Sequence, residues 1–514
     1  VAPTPAEAKP RYGGILLRVQ DSDPESFDPY QETGGARVLA GAVGAIGNGI
    51  LQFDPVEQDK VVGDLAERWE VNPDGKVYTF YFHKGIKWHD GTAFSADDVK
   101  FILDRISKPP KGMVSPRQGP FQVIESIEVV DKDTLRIVLQ YPSASFLQVL
   151  ATGWNIIMPR HVVEPAGVKR LSYREAVGSG PFKIKEFISG VSLEWAKNED
   201  YFIKGRPYLD GMKMFFIRDG AAQHAAFKTG KIHVSYLGGT AILPSDVAAI
   251  KRMRPETVVQ KGLTLYMPNL GMNTKRKPFD DARVRKAIFL AVDRQAGNQV
   301  IQQGEGLIGG LFPPTSYWAF PQDELLRMPG YRQPKDQDLA EAKRLMAEAG
   351  YPSGFKSTLL ARPDKLNQDI AVFFANEVSK LGIEAQIQTK EIASFVASMN
   401  GRNFDLFEWA QAIVIDDPDM VFGEFYTSSG VRNYEQHVVP GLEEMFDKQS
   451  RELDPAKRKE TVLQMQRLVL ENPAKAIAIW HTLFVLFAPE VKGYKVGNRG
   501  TYQNAKFQDV WLAQ

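Results

Sequence analysis

From residue 338 onward this chain repeats one local pattern: an amphipathic helix, a glycine that stops it, and a strand. "DLAEAKRLMAEAGYP" offers Asp338 as N-cap, Gly350 as stop and Pro352 just beyond, which is how a helix that ends abruptly is punctuated. "QDIAVFFANEVSKLGIEAQIQT" repeats it, with Gly382 closing a helix and an alternating strand behind it. Strands that alternate with helices lie in a sheet covered by those helices, so residues 261–480 are expected to form an α/β domain. Earlier segments read differently. "EVNPDGKVYTFYF" and "IESIEVVDKDTLRIVLQ" are strand pairs joined by a Pro-Asp-Gly turn and by Asp131 to Asp133, an antiparallel unit.

At 514 residues there is room for two or three domains, and with no low-complexity linker they are expected to be joined by strands. Lys+Arg 63 against Asp+Glu 62, with no basic block, excludes a nucleic-acid footprint and polybasic membrane attraction. A small-molecule partner fits better. No cysteine is present, which removes disulfides, thiolate metal sites and cysteine nucleophiles together. The longest apolar run, "AIAIWHTLFVLFAP", is shorter than the ~20 residues of a membrane span and reads as buried strand. The opening "VAPTPAEAKP" begins with Val1, as expected where a signal peptide or lipid-anchored leader has been removed.

Candidate chemistry is sparse. In "IKWHDGTAFSADDVKF", His89 and Asp90 suggest a hydrolase. Ser95 with Asp98 three residues on, however, has the form of a capping box, flanked by Phe94 and Val99 at the staple positions. His89-Asp90-Gly91 then reads as the turn before a helix. "GSGPF" has Phe182 where the G-x-S-x-G elbow needs its last glycine, and "SGFK" lacks the companions of an S-x-x-K site. "TGKIHV" lacks a phosphate loop's upstream Gly, and the glycines of "GGARVLAGAVGAIGNGIL" do not space for a dinucleotide. The scattered histidines show no H-E-x-x-H, and "DDPD" at 416–419 reads as a turn rather than a cation site. No catalytic residue, metal or cofactor is expected.

The stretch "LAERWEVNPDGKVYTFYFHKGIKWHDGTAFSADDVKF", together with "GSGPF", "NEDYFIKGRPYLDGM", "MNTKRKPFDDARVRKAIFLAVDR", "LAEAKRLMAEAGYP" and "DPAKRKETVLQMQRLVLENPAKAIAIW", resembles the extracellular solute-binding proteins of family 5. These are the dipeptide, oligopeptide and nickel-chelate binding proteins of ABC importers. The resemblance implies an α/β, two-lobed periplasmic-binding-protein fold of the large three-domain type, with a hinge and an interlobe cleft. Lobe I would comprise residues 1–43, 172–260 and 481–514, with 44–171 inserted as a subdomain, and lobe II residues 261–480. It further implies a monomer, periplasmic or extracytoplasmic, that encloses a ligand by lobe closure and delivers it to a membrane permease without catalysis.

Peptide-binding members place an aspartate three residues after a tryptophan on a cleft loop, where it holds the ligand's ammonium. In "FEWAQAIVIDDPDMVF" Ala412 stands three after Trp409, and Val414 four before Pro418, so the aspartate is missing from either anchor. Asp416 and Asp417 are the substitutes the loop offers. Arg362 in "LLARPDK" matches the arginine that dipeptide binders use near the ligand carboxylate, a bidentate donor. Trp409, Tyr426, Arg432, Asn433 and Tyr434 fall in segments that line the family's cleft, as do Tyr30 to Gly35, Thr33 among them. The expected ligand is a small peptide, peptide-like or opine-like molecule, with Arg362 favouring an acidic group and the missing aspartate weighing against a plain peptide. An oligosaccharide, a metal chelate, or a periplasmic hydrolase built on His89 and Asp90 are the alternatives.

Overall fold

The computed structural model describes residues 9–32, 36–57, 60–235, 242–413, 415–497 and 505–513. Two units are distinguished: unit 1, residues 1–262 with 484–514, and unit 2, residues 263–483.

In unit 1, β1 (Ile15–Gln20) begins a sheet that later strands complete. The Pro-Asp-Gly turn joins β2 (Ala66–Val71) to β3 (Val77–Phe82). Asn72 Oδ1 accepts the N–H groups of Lys76 and Val77 at 3.0 and 2.8 Å, and Gly75 takes the left-handed φ of 70° that a side chain would disfavour. Tyr78, Phe80 and Phe82 alternate inward along β3, as a half-buried strand requires. Helix α1 (Ala96–Ser107) follows, then the hairpin of β4 (Ile124–Asp131) and β5 (Thr134–Leu139), and helix α2 (Arg160–Ala166). These strands form an antiparallel sheet in the order β2-β3-β5-β4, on which α1 packs with Val99, Ile102, Leu103 and Ile106 buried. The strands β6 (Phe182–Ile188), β7 (Ser192–Lys197) and β8 (Gly211–Phe216) join β1 in the order β1-β8-β7-β6.

The predicted capping box is present, but Asp98 carries it. Its Oδ2 accepts the Ser95 N–H at 3.0 Å, while Oδ1 reaches the Arg160 N–H at 2.8 Å, so one buried carboxylate ties the starts of α1 and α2 together. Asp98→Ala strands both donors and is expected to cost about 2 kcal/mol. Ser95→Ala is expected to cost less, about 0.5 to 1 kcal/mol, and chemical denaturation of the two variants checks the order.

His89 and Asp90 do not form a dyad. The His89 ring is clasped by "GSGPF": Nε2 donates to the Gly180 carbonyl at 3.0 Å and Nδ1 accepts the Gly178 N–H at 3.3 Å. Burial lowers its pKa to about 4, so at neutral pH it is an uncharged joint. Asp90 turns the other way, to Thr92 and His161.

The chain enters unit 2 along β9 (Val258–Leu263) and β10 (Tyr266–Met272), followed by helices α3 (Ala282–Ala291) and α4 (Asp336–Glu348). Helix α4 starts before Asp338, the predicted cap. That residue is fully buried and accepts from the Gly330 N–H at 2.9 Å, Lys335 Nζ at 2.8 Å and Arg332 Nε at 2.8 Å. Tertiary bonding of Asp338 overrides its local capping signal. Next come β11 (Lys356–Ala361), α5 (Lys365–Ser379), β12 (Glu384–Thr389), α6 (Ile392–Asn400) and β13 (Leu406–Ala412). Gly382 does end its helix, at φ 76°, in a turn so close that a Cβ on Gly354 would lie 2.0 Å from its carbonyl. Helices α7 (Pro418–Phe425), α8 (Leu442–Arg451) and α9 (Pro455–Glu471) lead to β14 (Lys475–Ile477) and β15 (Thr482–Phe487). The apolar run of the sequence is these last two strands, and no described helix is long and apolar enough to cross a membrane.

The sheet of unit 2 runs β12-β11-β13-β10-β14, parallel from β12 to β13 and antiparallel beyond. Leu359 and Leu406 enter one core cluster while their neighbours Leu360 and Phe407 enter another. Side chains alternate between faces of a strand, so both faces of this sheet are covered, as the helix and strand pattern predicts.

Candidate ligand-binding site

Arg362 is the first residue past β11. Its N–H points to Glu408 Oε1 at 3.4 Å, and its carbonyl accepts the Gln368 side-chain amide from the first turn of α5. The backbone is thus pinned from two sides. Its guanidinium is not: Nε is buried without a hydrogen-bond partner, 3.8 Å from the Asp364 carboxylate. A planar donor fork held on a fixed backbone suits an incoming carboxylate.

Glu408, on β13, has no exposed surface, and its Oε2 has no hydrogen-bond partner. Desolvation raises its pKa to about 8, with Arg362 opposing the shift. Four residues along the same strand, roughly 13 Å at the usual rise, Ala412 stands opposite Tyr266 of β10. Arg432 Nη1 donates to the Ala412 carbonyl at 2.9 Å and lies 3.2 Å from Glu424. A guanidinium therefore sits beside Ala412, three residues past Trp409, where the resemblance would place an aspartate. Burial raises the pKa of the Tyr266 phenol, and both Arg362 and Arg432 act against that rise, so two cations act on the same ring.

Trp409 and Tyr434 come together, stacked at 5.2 Å and 25°, with Phe395 of α6 edge-on to Trp409 at 5.6 Å. Tyr434 is buried and Arg402 covers it at 4.9 Å. The pair is one platform, of which Trp409 is the partly exposed member. Tyr426 is buried under Lys475, whose Nζ lies 4.9 Å from the ring centroid and 3.2 Å from Glu435. Lys475 also reaches Gln411 at 3.3 Å, and Asn269 binds Gln411 and the Trp409 carbonyl at 3.1 and 2.8 Å. Burial pushes the Glu435 pKa up and that of Lys475 down, each offsetting the other's shift. This interior network stiffens the end of β13.

Other expected residues have different work. Asp417 is fully buried and bidentate to Arg458 at 2.8 and 2.7 Å, so its carboxylate is not available to hold a ligand's ammonium. Asp416 accepts the Trp318 indole N–H on its carbonyl at 3.2 Å. Asn433 spends its amide on Thr427 and His437, closing its own loop. Tyr30 is fully buried, its hydroxyl donated to the Ile156 carbonyl at 2.8 Å. Thr33 and Val414 lie outside the described residues. Sequence reasoning missed Glu408, Lys475 and Tyr266. The first two carry a signal, a lone charge inside the apolar strands "LFEWA" and "AKAIAI".

A family model, the bacterial extracellular solute-binding proteins, family 5 Middle, matches residues 60–433. The "Dipeptide-binding protein" of Escherichia coli (strain K12) is 27% identical over 515 residues, covering 95% of this chain and 93% of that one. Two solved structures superpose along nearly the whole chain. The periplasmic binding protein DppA from Helicobacter pylori, in complex with the peptide STSA, gives a TM-score of 0.83 at 26% identity, covering 98% of this chain and 99% of that one. The PBP AgaA from A.tumefacien R10, in complex with agropinic acid, gives 0.82 at 26% identity, with 98% and 99% covered.

Proposed function

The chain belongs to the bacterial extracellular solute-binding proteins of family 5, and from that membership we propose that its ligand is a small peptide-like or opine-like acid without a free ammonium. Members of this family bind a solute and deliver it to the permease of an ABC importer, outside the cytoplasm. The observation that carries the choice of ligand is the pair of arginines along β13. Arg362 offers a guanidinium whose Nε has no hydrogen-bond partner at one end, and Arg432, paired to Glu424, donates to the Ala412 carbonyl at the other.

An ammonium enclosed beside Arg432 would meet a like charge, with Glu424 already paired to that arginine at 3.2 Å, and would lose several kcal/mol in desolvation. An acyl, lactam or second acidic group there would not. Trp409 supplies the apolar face between the two ends. Among the proteins similar to this chain, one binds the peptide STSA and another agropinic acid; the charges around Ala412 favour the second kind of ligand. In this reading residues 1–43, 172–260 and 481–514 form lobe I with 44–171 inserted, residues 261–480 form lobe II, and ligand binding drives their closure.

The test is calorimetric titration with three acids: a free dipeptide, its N-acetylated form, and an N-carboxyalkyl amino acid. The unmodified protein is expected to prefer the latter two, and Ala412→Asp to improve the free dipeptide at least about tenfold by restoring a counter-charge. Nanomolar binding of the free dipeptide by the unmodified protein, with Ala412→Asp neutral, defeats the reading.

A further inference from the structure

Glu408 is an odd neighbour for an anion site. A carboxylic acid with no exposed surface touches the residue proposed to hold the ligand's carboxylate, yet the two side chains form no ion pair. Glu408 Oε1 takes the Arg362 main-chain N–H at 3.4 Å, Oε2 has no hydrogen-bond partner, and Arg362 Nε has none either. If Glu408 were ionised, an arginine with an unused donor next to a dry carboxylate would be expected to close on it, because a buried charge without a partner is costly.

We propose that Glu408 remains protonated when the acid binds, leaving Arg362 to the ligand, and that loss of this proton withdraws Arg362 and expels the anion. The inference rests on the reading that Arg362 takes the ligand's carboxylate. Glu408 is then a positioning residue, one that governs the charge left over at Arg362.

The surroundings agree. The ionisable groups that bear on Glu408 are Arg362 and Asp364, both from the β11–α5 connection, and β10 sets uncharged Leu270 opposite it. Desolvation is the largest influence, Arg362 works against it, and Asp364 adds to it, for a value of about 8. Below about pH 8 the acid is neutral and the ligand meets a guanidinium opposed only by the 3.8 Å approach of Asp364. Above it, the carboxylate attracts Arg362 and repels the ligand's own carboxylate. A bound anion raises the Glu408 pKa further, so near pH 8 to 9 binding draws in a fraction of a proton by linkage.

The test uses the full chain and N-acetylalanylalanine, which has no amine to titrate. Calorimetry from pH 6 to 9.5 should show affinity falling above pH 8 with a slope that steepens toward about tenfold per pH unit, with proton uptake seen by comparing buffers of different ionisation enthalpy. Glu408→Gln, neutral at every pH, should keep the affinity found at pH 6 and lose the slope. Carbon NMR of protein labelled at the glutamate carboxyls checks the proton directly: one resonance should titrate near 8 and be missing in Glu408→Gln, which separates it from Glu435, whose pKa burial also raises.

A flat affinity profile in the unmodified protein, or the same fall in Glu408→Gln, overturns the proposal. So does a spectrum in which every glutamate titrates below 6. If the dipeptide fails to bind at any pH while one carboxyl titrates near 8, the proton on Glu408 is upheld and the assignment of Arg362 to the ligand falls.

Discussion

Arg362→Ala is expected to weaken binding of an acidic ligand by roughly 2 to 5 kcal/mol, the range for truncating one partner of an enclosed charge pair. Much of that loss belongs to the ligand carboxylate left without a donor in a dry site. Arg362→Lys should restore only part of it, since an ammonium lacks the planar fork. Stability should hardly change, because the guanidinium makes only the 3.8 Å approach to Asp364 and it is the residue's backbone that the neighbours hold. Calorimetry read beside thermal denaturation separates the two effects. An unchanged dissociation constant in Arg362→Ala would move the carboxylate site elsewhere.

The second large effect is on stability. Arg458→Ala is expected to cost 3 to 5 kcal/mol, the usual loss when one member of a buried ion pair is removed. Arg458 donates two bonds to Asp417 and a third to Gln449 at 2.9 Å, and covers Trp318 at 4.8 Å. Asp417 caps α7, Gln449 lies on α8 and Arg458 on α9, so one guanidinium joins three helices. Burial raises the Asp417 pKa and Arg458 opposes that rise, so removing the arginine leaves an acid that must be buried uncompensated or take up a proton. The double variant Arg458→Met/Asp417→Leu should be less destabilised than Arg458→Ala alone, since neither charge then remains unpaired. Urea midpoints of the three proteins decide this.

How far the sequence could be read depended on whether a residue's role was local. The Pro-Asp-Gly turn, the Gly382 stop and the alternation along β3 are set by neighbours a few residues away, and the structure has each of them. Asp98 is half local: its bond to Ser95 follows from spacing, while its bond to Arg160 joins positions 62 residues apart. Asp338, read as a cap, is instead drawn inward by Arg332 and Lys335, whereas Asp417, read as part of a turn, is the residue that caps α7. In the candidate site, the family resemblance pointed to Arg362 and Trp409, but not to the stacking of Trp409 on Tyr434 or to the dry setting of Glu408. Those depend on the register of β13 between β11 and β10, which no single segment encodes.

The order in which the chain is written also has a consequence in time. Unit 2 is one uninterrupted stretch, whereas unit 1 is begun by residues 1–262 and finished by 484–514. The cluster around Val19, Phe227, Ile232 and Ile250 needs Phe484 and Leu486 to be complete, and Asp64 waits for Lys506. At roughly 5 to 20 residues per second, the intervening segment takes on the order of 10 to 45 s to emerge. The domain that starts first therefore closes last. For that interval its unfinished core presents apolar surface to any chaperone or protease that meets the chain.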